Sequence, residues 1–209
     1  FFDEPLKYFG YEFFIDAPTT FTQLKNTPVP PDYIVGPQDN INIILFGGAN
    51  EKYDLTVTRD GAIFFPEIGP ILVAGLPFEE VQALIKQTVS NQLIGTQASV
   101  TLGSLRSIDI FVVGEAYKPG MYSMSALSTL TNAIIKSGGI ATTGSLRNIQ
   151  VKRRGEIIGT FDFYDLLLNG DTKGDIRLMQ GDVLLIPPVG KTVGINLFFC
   201  GKTVERASF

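Results

Sequence analysis

The 209-residue chain contains no histidine and a single cysteine, Cys200. Without histidine it can form neither a Ser-His-Asp triad nor a histidine metal site. One thiol cannot make an internal disulfide or a cysteine zinc cluster. We interpret Cys200 as a buried, inert thiol, because no group of basic residues surrounds it in the sequence. The commonest catalytic and metal sites are thereby removed, and we expect no metal and no cofactor.

Excess positive charge and long apolar runs are also missing. The chain has 17 Lys and Arg against 21 Asp and Glu, which gives a formal net charge of −4. A nucleic-acid binder needs a basic face, so we expect no nucleic-acid partner. An apolar run of about 18 residues, which a transmembrane helix requires, is absent, so we expect no such helix in this chain.

Glycine, proline and apolar residues are plentiful. The 22 glycines and 12 prolines indicate many turns and short strands, and a hydrophobic fraction of 44% is enough to build a core. In both halves of the chain, strand patterns surround a single helical pattern. This arrangement predicts an α+β fold of two small sheet-plus-helix domains.

The first half predicts a strand that begins at Asn40 and is ended by Gly47-Gly48, and a hairpin that pairs Asp54–Thr58 with Ala62–Phe65 across an Asp-Gly turn. A helix follows, opened by Pro77, with one apolar stripe. That stripe comprises Phe78, Val81, Leu84, Ile85 and Val89.

The second half predicts a buried strand from Ile108 and a helix capped by Ser128 and ended by Gly138-Gly139. A hairpin across Arg154-Gly155 follows, then a short helical turn capped by Asp162 and a last strand, Val183–Ile186.

The two chain ends have their own patterns. Six of the 12 prolines and six of the 16 phenylalanines lie in the first 37 residues. We predict an arm that packs on its own body, on a neighbouring subunit or on an upstream segment, and we favour its own body. At the other end, Lys191–Ile195 weakly repeats Arg106–Ile110, which indicates that the tail begins a second copy of the second unit.

Carboxylates are the remaining catalytic option. Asp54, Asp60, Glu67 and Glu115 lie near turns, and two carboxylates at a suitable separation can hydrolyse a glycoside. Structural roles are favoured, since Asp60 precedes a glycine in a turn and Glu115 lies in a Gly/Pro loop without an acidic neighbour.

Arg147, Lys152, Arg153 and Arg154 form the densest basic group. They could hold an acidic polymer through charge and bidentate contacts. The alternative is a solvated hairpin, which is favoured. Glu115 and Tyr117, in the loop from Gly114 to Gly120, complete the set of candidate ligand-binding residues.

Several ordered motifs resemble a known family. The run from Asp32 to Asp39, DYIVGPQD, resembles the opening motif of bacterial polysaccharide export proteins, with Gln38 in place of the usual glycine. The second half is similar to an SLBB domain, a β-grasp module proposed to bind soluble ligands. In the first half, the stretches that match the export proteins also include Val57–Pro66, Ile68-Gly69 and Val73–Leu76. In the second half, the stretches that match the SLBB domain are Val113–Glu115, Pro119-Gly120, Tyr122, Gly138-Gly139 and Gly181–Val183.

The resemblance implies four segments and a structural role for the motif residues. The segments are an arm at 1–31, a polysaccharide-export N-terminal domain at 32–104, an SLBB β-grasp domain at 105–189 and a tail at 190–209. We expect the motif residues to shape turns and cores. They are Asp32, Tyr33, Gly36, Pro37, Asp39, Asp60, Gly61, Pro66, Gly69, Gly75, Gly114, Pro119, Gly120, Gly138, Gly139, Gly181 and Asp182.

The resemblance also implies a non-enzymatic component of capsular or exopolysaccharide export, in the periplasm and at the outer membrane of a Gram-negative bacterium. The implied partners are the polysaccharide, further copies of the chain in a ring and an inner-membrane co-polymerase. Two other hypotheses remain open. One is a carboxylate-dependent hydrolase acting through Asp60 or Glu115. The other is a purely structural envelope module whose Phe-rich arm docks a protein.

Overall fold

The computed structural model describes residues 9–14, 29–48 and 50–190. These residues divide into two compact units. The first domain consists of residues 29–48 and 50–107, and the second consists of residues 9–14 and 108–190. Both combine strands with helices, which confirms the predicted α+β class. In the described part of the chain, no helix has the length and hydropathy of a membrane span.

The first domain contains a three-stranded antiparallel sheet, a separate hairpin and one helix. The sheet order is β2-β1-β5, and β3 pairs with β4. The elements are β1 Asn40–Gly47, β2 Lys52–Thr56, β3 Ala62–Phe65, β4 Gly69–Leu72, α1 Phe78–Gln92 and β5 Thr96–Leu102.

The periodicity of the sequence explains these elements. In β1, Ile41, Ile43 and Leu45 are buried and alternate with more exposed residues, as a sheet with one face on the core requires. Pro77 precedes the first turn of α1, and that turn carries two glutamates at the positive end of the helix. The predicted stripe is buried except for Leu84, which is only partly covered.

The predicted pairing of the second and third strands is wrong. The turn itself forms, because the Gly61 N–H donates to the Thr58 carbonyl oxygen and the Thr58 N–H to the Ala62 carbonyl oxygen. However, β2 pairs with β1, and β3 folds back on β4. Turn chemistry sets where a chain reverses, whereas pairing also depends on which strand edge the tertiary fold leaves open.

The second domain is built on a mixed five-stranded sheet of order β7-β6-β10-β8-β9. The last strand runs parallel to β6 and antiparallel to β8, so it lies in the middle of the sheet. The elements are a 3₁₀ turn Tyr11–Phe14, β6 Ser107–Gly114, β7 Gly120–Ser125, α2 Leu130–Lys136, β8 Ile149–Arg153, β9 Glu156–Phe161, α3 Phe163–Asn169 and β10 Val183–Ile186.

The cap of α2 differs from the prediction by one residue. Thr129, not Ser128, occupies the N-cap, and its N–H donates to the side chain of Asn132 at 3.0 Å. Ser128 is buried, and its carbonyl oxygen accepts from the Leu178 N–H, so it holds a later loop. The predicted cap of α3 is confirmed, since Asp162 accepts from the Tyr164 N–H at 2.9 Å.

Residues 9–14 of the N-terminal arm pack on the second domain. The rings of Phe13 and Phe14 lie 5.5 and 5.0 Å from that of Phe163, and the Tyr11 hydroxyl donates to the Gly144 carbonyl oxygen. The preferred interpretation, an arm that packs on its own body, holds for these residues. The rest of the arm lies outside the described residues, as do Cys200 and the repeat-like segment Lys191–Ile195.

The turn before β1 contains a strained position. Pro37 and Gln38 form its centre, the Asp39 N–H donates to the Gly36 carbonyl oxygen, and Gln38 has φ +74°. This left-handed region costs an L-residue about 1–2 kcal/mol and costs glycine nothing. The resemblance motif usually has glycine at this position, and the backbone explains that preference.

We therefore expect Gln38→Gly to raise the free energy of unfolding by about 0.5–1 kcal/mol, because the strain that it relieves exceeds the added entropy of the unfolded chain. Urea denaturation followed by circular dichroism measures the change. The matched control is Gln97→Gly, at an exposed position of β5, which should lower stability by about 1 kcal/mol. Changes of the same sign in the two variants would contradict the assignment of strain.

Candidate functional site

A buried carboxylate organises the first domain. Asp39 is fully buried, and its side chain accepts from the Tyr33 hydroxyl at 2.9 Å and from the Gly36 N–H at 2.8 Å. Arg106 donates to the same carboxylate from its backbone N–H at 2.9 Å and from its guanidinium at 2.5 Å. A charge removed from water must be compensated by donors of this kind. The network therefore joins the turn before β1 to the end of the domain.

The other members of this network fit tightly around the carboxylate. Burial, reinforced by the Asp39 carboxylate, raises the pKa of the Tyr33 phenol well above its ordinary value, so the hydroxyl stays protonated and donates. A Cβ added at Gly36 would lie 2.6 Å from Arg106 Nη1. Three of the motif residues, Tyr33, Gly36 and Asp39, thus lie in one hydrogen-bond network, and Arg106 is the partner that sequence reasoning missed. The signal that could have found Arg106 is that a buried carboxylate requires a cationic partner.

The second domain contains a comparable buried pair. Asp182 is buried, and the Arg153 guanidinium donates to both carboxylate oxygens at 2.8 Å through Nε and Nη2. The Met179 N–H also donates to Asp182 at 2.8 Å. The hydrogen bond to Asp182 raises the pKa of Arg153. This bidentate geometry holds the turn before β10 against β8.

Arg147 is likewise engaged inside the second domain. Its guanidinium lies 3.7 Å from Asp162, the N-cap of α3, and 4.9 Å from the centre of the Tyr164 ring. These contacts, an ion pair and a cation–π contact, stabilise the start of α3.

The basic group that the sequence singled out is therefore divided. The guanidinium groups of Arg147 and Arg153 face aspartates of the same domain. Lys152 is partly buried on β8, and Arg154 is exposed in the β8–β9 turn with φ +52°. In the described part of the chain, Lys152 and Arg154 have no aspartate or glutamate within ion-pair distance.

The candidate catalytic carboxylates lie in turns and on strand surfaces. Asp60 and Glu67 are exposed in turns of the first domain, and Asp54 is exposed on β2. Glu115 belongs to the second domain, where it accepts from the Thr143 hydroxyl. Among the described residues, no three His, Cys, Asp or Glu side chains form a group that could hold a metal ion.

The loop that follows β6 is held firmly by its backbone. The Glu115 N–H donates to the Ile186 carbonyl oxygen at 2.9 Å, and the Glu115 carbonyl oxygen accepts from the Ala141 N–H at 2.9 Å. The N–H groups of Tyr117 and Lys118 donate to the carbonyl oxygens of Gly139 and Ser137. The loop is thus tied both to the end of β10 and to the segment after α2.

The side chains of this loop include an exposed aromatic ring with a lysine ammonium near it. Tyr117 is 64% exposed, and the Lys118 ammonium lies 5.8 Å from the centre of its ring. A Cβ added at Gly138 would lie 2.9 Å from Tyr117 Cδ1. We call Glu115, Tyr117 and Lys118, which belong to this one loop, the Tyr117 surface. It includes the two candidate ligand-binding residues that lie outside the basic group.

Both domains match known protein families. Residues 27–103 match the family described as polysaccharide biosynthesis/export protein, and residues 109–186 match the SLBB domain. The two matches follow each other along the chain and include both buried aspartates.

Several curated proteins are similar to the chain. The polysialic acid transport protein KpsD of Escherichia coli is 32% identical over 169 residues, which are 79% of this chain and 30% of KpsD. The EPS I polysaccharide export outer membrane protein EpsA of Ralstonia nicotianae is 32% identical over 143 residues, 68% of this chain and 37% of EpsA. The capsule polysaccharide export protein BexD of Haemophilus influenzae is 30% identical over 129 residues, 61% of this chain and 32% of BexD. The chain thus spans roughly a third of each of these relatives.

We expect Asp39→Ala to lower the free energy of unfolding of the first domain by about 3 kcal/mol, because it leaves the donors of Tyr33, Gly36 and Arg106 without their acceptor. Urea denaturation measures this loss. The control Asp54→Ala removes an exposed carboxylate of the same domain and should change stability by less than about 0.5 kcal/mol. Equal losses in the two variants would refute the organising role of Asp39.

The two neighbouring arginines of the β8–β9 hairpin should behave differently. Arg153→Ala should lower the free energy of unfolding by about 3 kcal/mol, because it leaves the buried Asp182 without its cation. Arg154→Ala should change that free energy by less than about 0.5 kcal/mol. Arg153→Lys should restore only part of the loss, because an ammonium cannot form the bidentate contact. Thermal unfolding of the three variants tests this order, and full restoration by lysine would contradict the bidentate role.

Proposed function

The chain belongs to the polysaccharide biosynthesis/export protein family, and on that premise we propose that it is a non-enzymatic component of capsular or exopolysaccharide export. In this proposal the chain contacts the exported polysaccharide and partner subunits without making or breaking covalent bonds. One observation carries the proposal. The chain has both family domains in order, and each domain contains a motif aspartate, Asp39 or Asp182, that is buried.

The surfaces that we propose for contact with polysaccharide lie on the second domain. They are the Tyr117 surface and the exposed part of the β8–β9 hairpin, with Lys152 and Arg154. Of the six residues that the sequence indicated, Glu115, Tyr117, Lys152 and Arg154 would meet the ligand directly. Arg147 and Arg153 would support the surface through Asp162 and Asp182.

The proposed location is the periplasm, in association with the outer membrane of a Gram-negative bacterium. The name of the relative EpsA, an outer membrane export protein, supports it. We further propose that the chain assembles with copies of itself and contacts an inner-membrane co-polymerase, as the family resemblance implies.

The two other hypotheses have less support. The hydrolase needs paired carboxylates in one cleft, whereas Asp60 is exposed in the turn before β3 and Glu115 accepts from a threonine hydroxyl. The protein-docking arm needs exposed aromatics. In its described residues, Tyr11 is buried and Phe14 packs on Phe163 of the same chain, whereas Phe13 is 41% exposed.

The test combines glycan binding with a solution mass. Affinity electrophoresis against polysialic acid and dextran, together with light scattering, should show retardation by at least one polysaccharide and a mass above that of one chain. Reducing-end assays on the same mixtures should stay at background.

A strict monomer that binds neither polysaccharide would contradict the export proposal. If the unmodified chain releases reducing ends and Asp60→Asn or Glu115→Gln abolishes that release, the hydrolase hypothesis is favoured instead. Arg59→Ala, which removes an exposed arginine of the first domain, is the matched control for Arg154→Ala in the binding assay. Only Arg154→Ala should weaken retardation by an acidic polysaccharide.

A further inference from the structure

The Tyr117 surface combines strong exposure with a fixed backbone. Both N–H groups at the centre of the loop, those of Tyr117 and Lys118, are bonded to the segment after α2 at 3.0 and 3.1 Å. The neighbouring Ala116 is buried and forms a bridge with Ile140. The loop therefore does not need to become ordered when a ligand arrives, and a ligand bound there loses little affinity to conformational entropy.

The position of the ring is restricted as well. Gly138 lies directly against Tyr117, because a Cβ at that position would come within 2.9 Å of the ring. Gly138 also has φ +84°, a conformation that favours glycine, so the ring borders a backbone position that has no side chain. The ring thus rests on backbone while most of its surface stays in contact with water.

Two polar residues of the same loop supply both kinds of polar contact. The Glu115 carboxylate, already an acceptor for the Thr143 hydroxyl, can accept further hydrogen bonds, and the Lys118 ammonium is a donor with positive charge. A pyranose has one face of C–H groups and a rim of hydroxyls. Packing the C–H face on an aromatic ring buries apolar area, while the rim meets the neighbouring acceptor and donor.

We propose that the Tyr117 surface is a subsite for one pyranose unit of a polysaccharide, with the sugar stacked on the Tyr117 ring and its rim contacted by Glu115 and Lys118. This proposal rests on the proposed export function and names the sugar chemistry of one of its two contact surfaces. It separates that surface from the β8–β9 hairpin, where charge rather than stacking provides the contact. Since stacking uses the ring and not its hydroxyl, Phe can replace Tyr at this position and Ala cannot.

The experiment is a titration of the chain with short oligosaccharides of polysialic acid and of dextran, followed by amide chemical shifts in NMR spectra. We expect shifts centred on residues 115–118 and 138–139 with at least one of the two sugars. Tyr117→Ala should raise the dissociation constant about tenfold, and Tyr117→Phe should bind as the unmodified chain does. The control Leu168→Ala removes a side chain of similar exposure, 63%, from the same domain and should leave binding unchanged.

Two results would overturn the subsite. The first is an unchanged dissociation constant in Tyr117→Ala, with circular dichroism showing that the variant is folded. The second is a shift pattern centred on the β8–β9 hairpin, which would leave the export proposal intact. If neither sugar changes any amide chemical shift, the subsite proposal is also wrong. The export proposal is then tested separately by the mass of the chain in solution.

Discussion

Burial of one aspartate in each domain is the constraint on which the rest of the structure depends. A carboxylate in a protein interior has lost its hydration, and it is tolerated only where donors surround it. Asp39 obtains them from a phenol, two backbone N–H groups and a guanidinium, and Asp182 from a guanidinium and one N–H. These bonds hold a turn next to a central strand in each case. The turns are therefore part of the core, even though their sequences look like surface loops.

The same constraint decides which basic residues are available to a ligand. Arg153 and Arg154 are adjacent in the chain and alike in chemistry, yet one serves a buried carboxylate and the other is exposed. A guanidinium that forms a bidentate contact cannot leave it without leaving the buried carboxylate uncompensated in an apolar environment. In the proposed function, contact with polysaccharide is thus assigned to Lys152 and Arg154 and to the Tyr117 surface, where the aromatic ring is exposed and the backbone is already ordered.

Sequence patterns predicted most elements, because local physics sets them. Alternation along β1, the apolar stripe of α1 and the Asp162 cap of α3 each involve residues close in the chain. The misses are of a different kind. The partner of β3 depends on which strand edge the fold leaves open. Thr129 caps α2 instead of the predicted Ser128, because Ser128 is buried and its carbonyl oxygen accepts from the N–H of Leu178, 50 positions later.

By itself the sequence determined the α+β class, the turns and the motif series that resembles polysaccharide export proteins, since these depend on backbone preferences and on the spacing of apolar residues. It also indicated Glu115 and Tyr117 as candidates. Only the tertiary structure decided that Arg106 completes the Asp39 network 67 positions away, that Arg153 serves Asp182 and that the ring of Tyr117 rests against Gly138. Contacts between distant segments depend on how whole elements pack, and no local pattern in the chain records that arrangement.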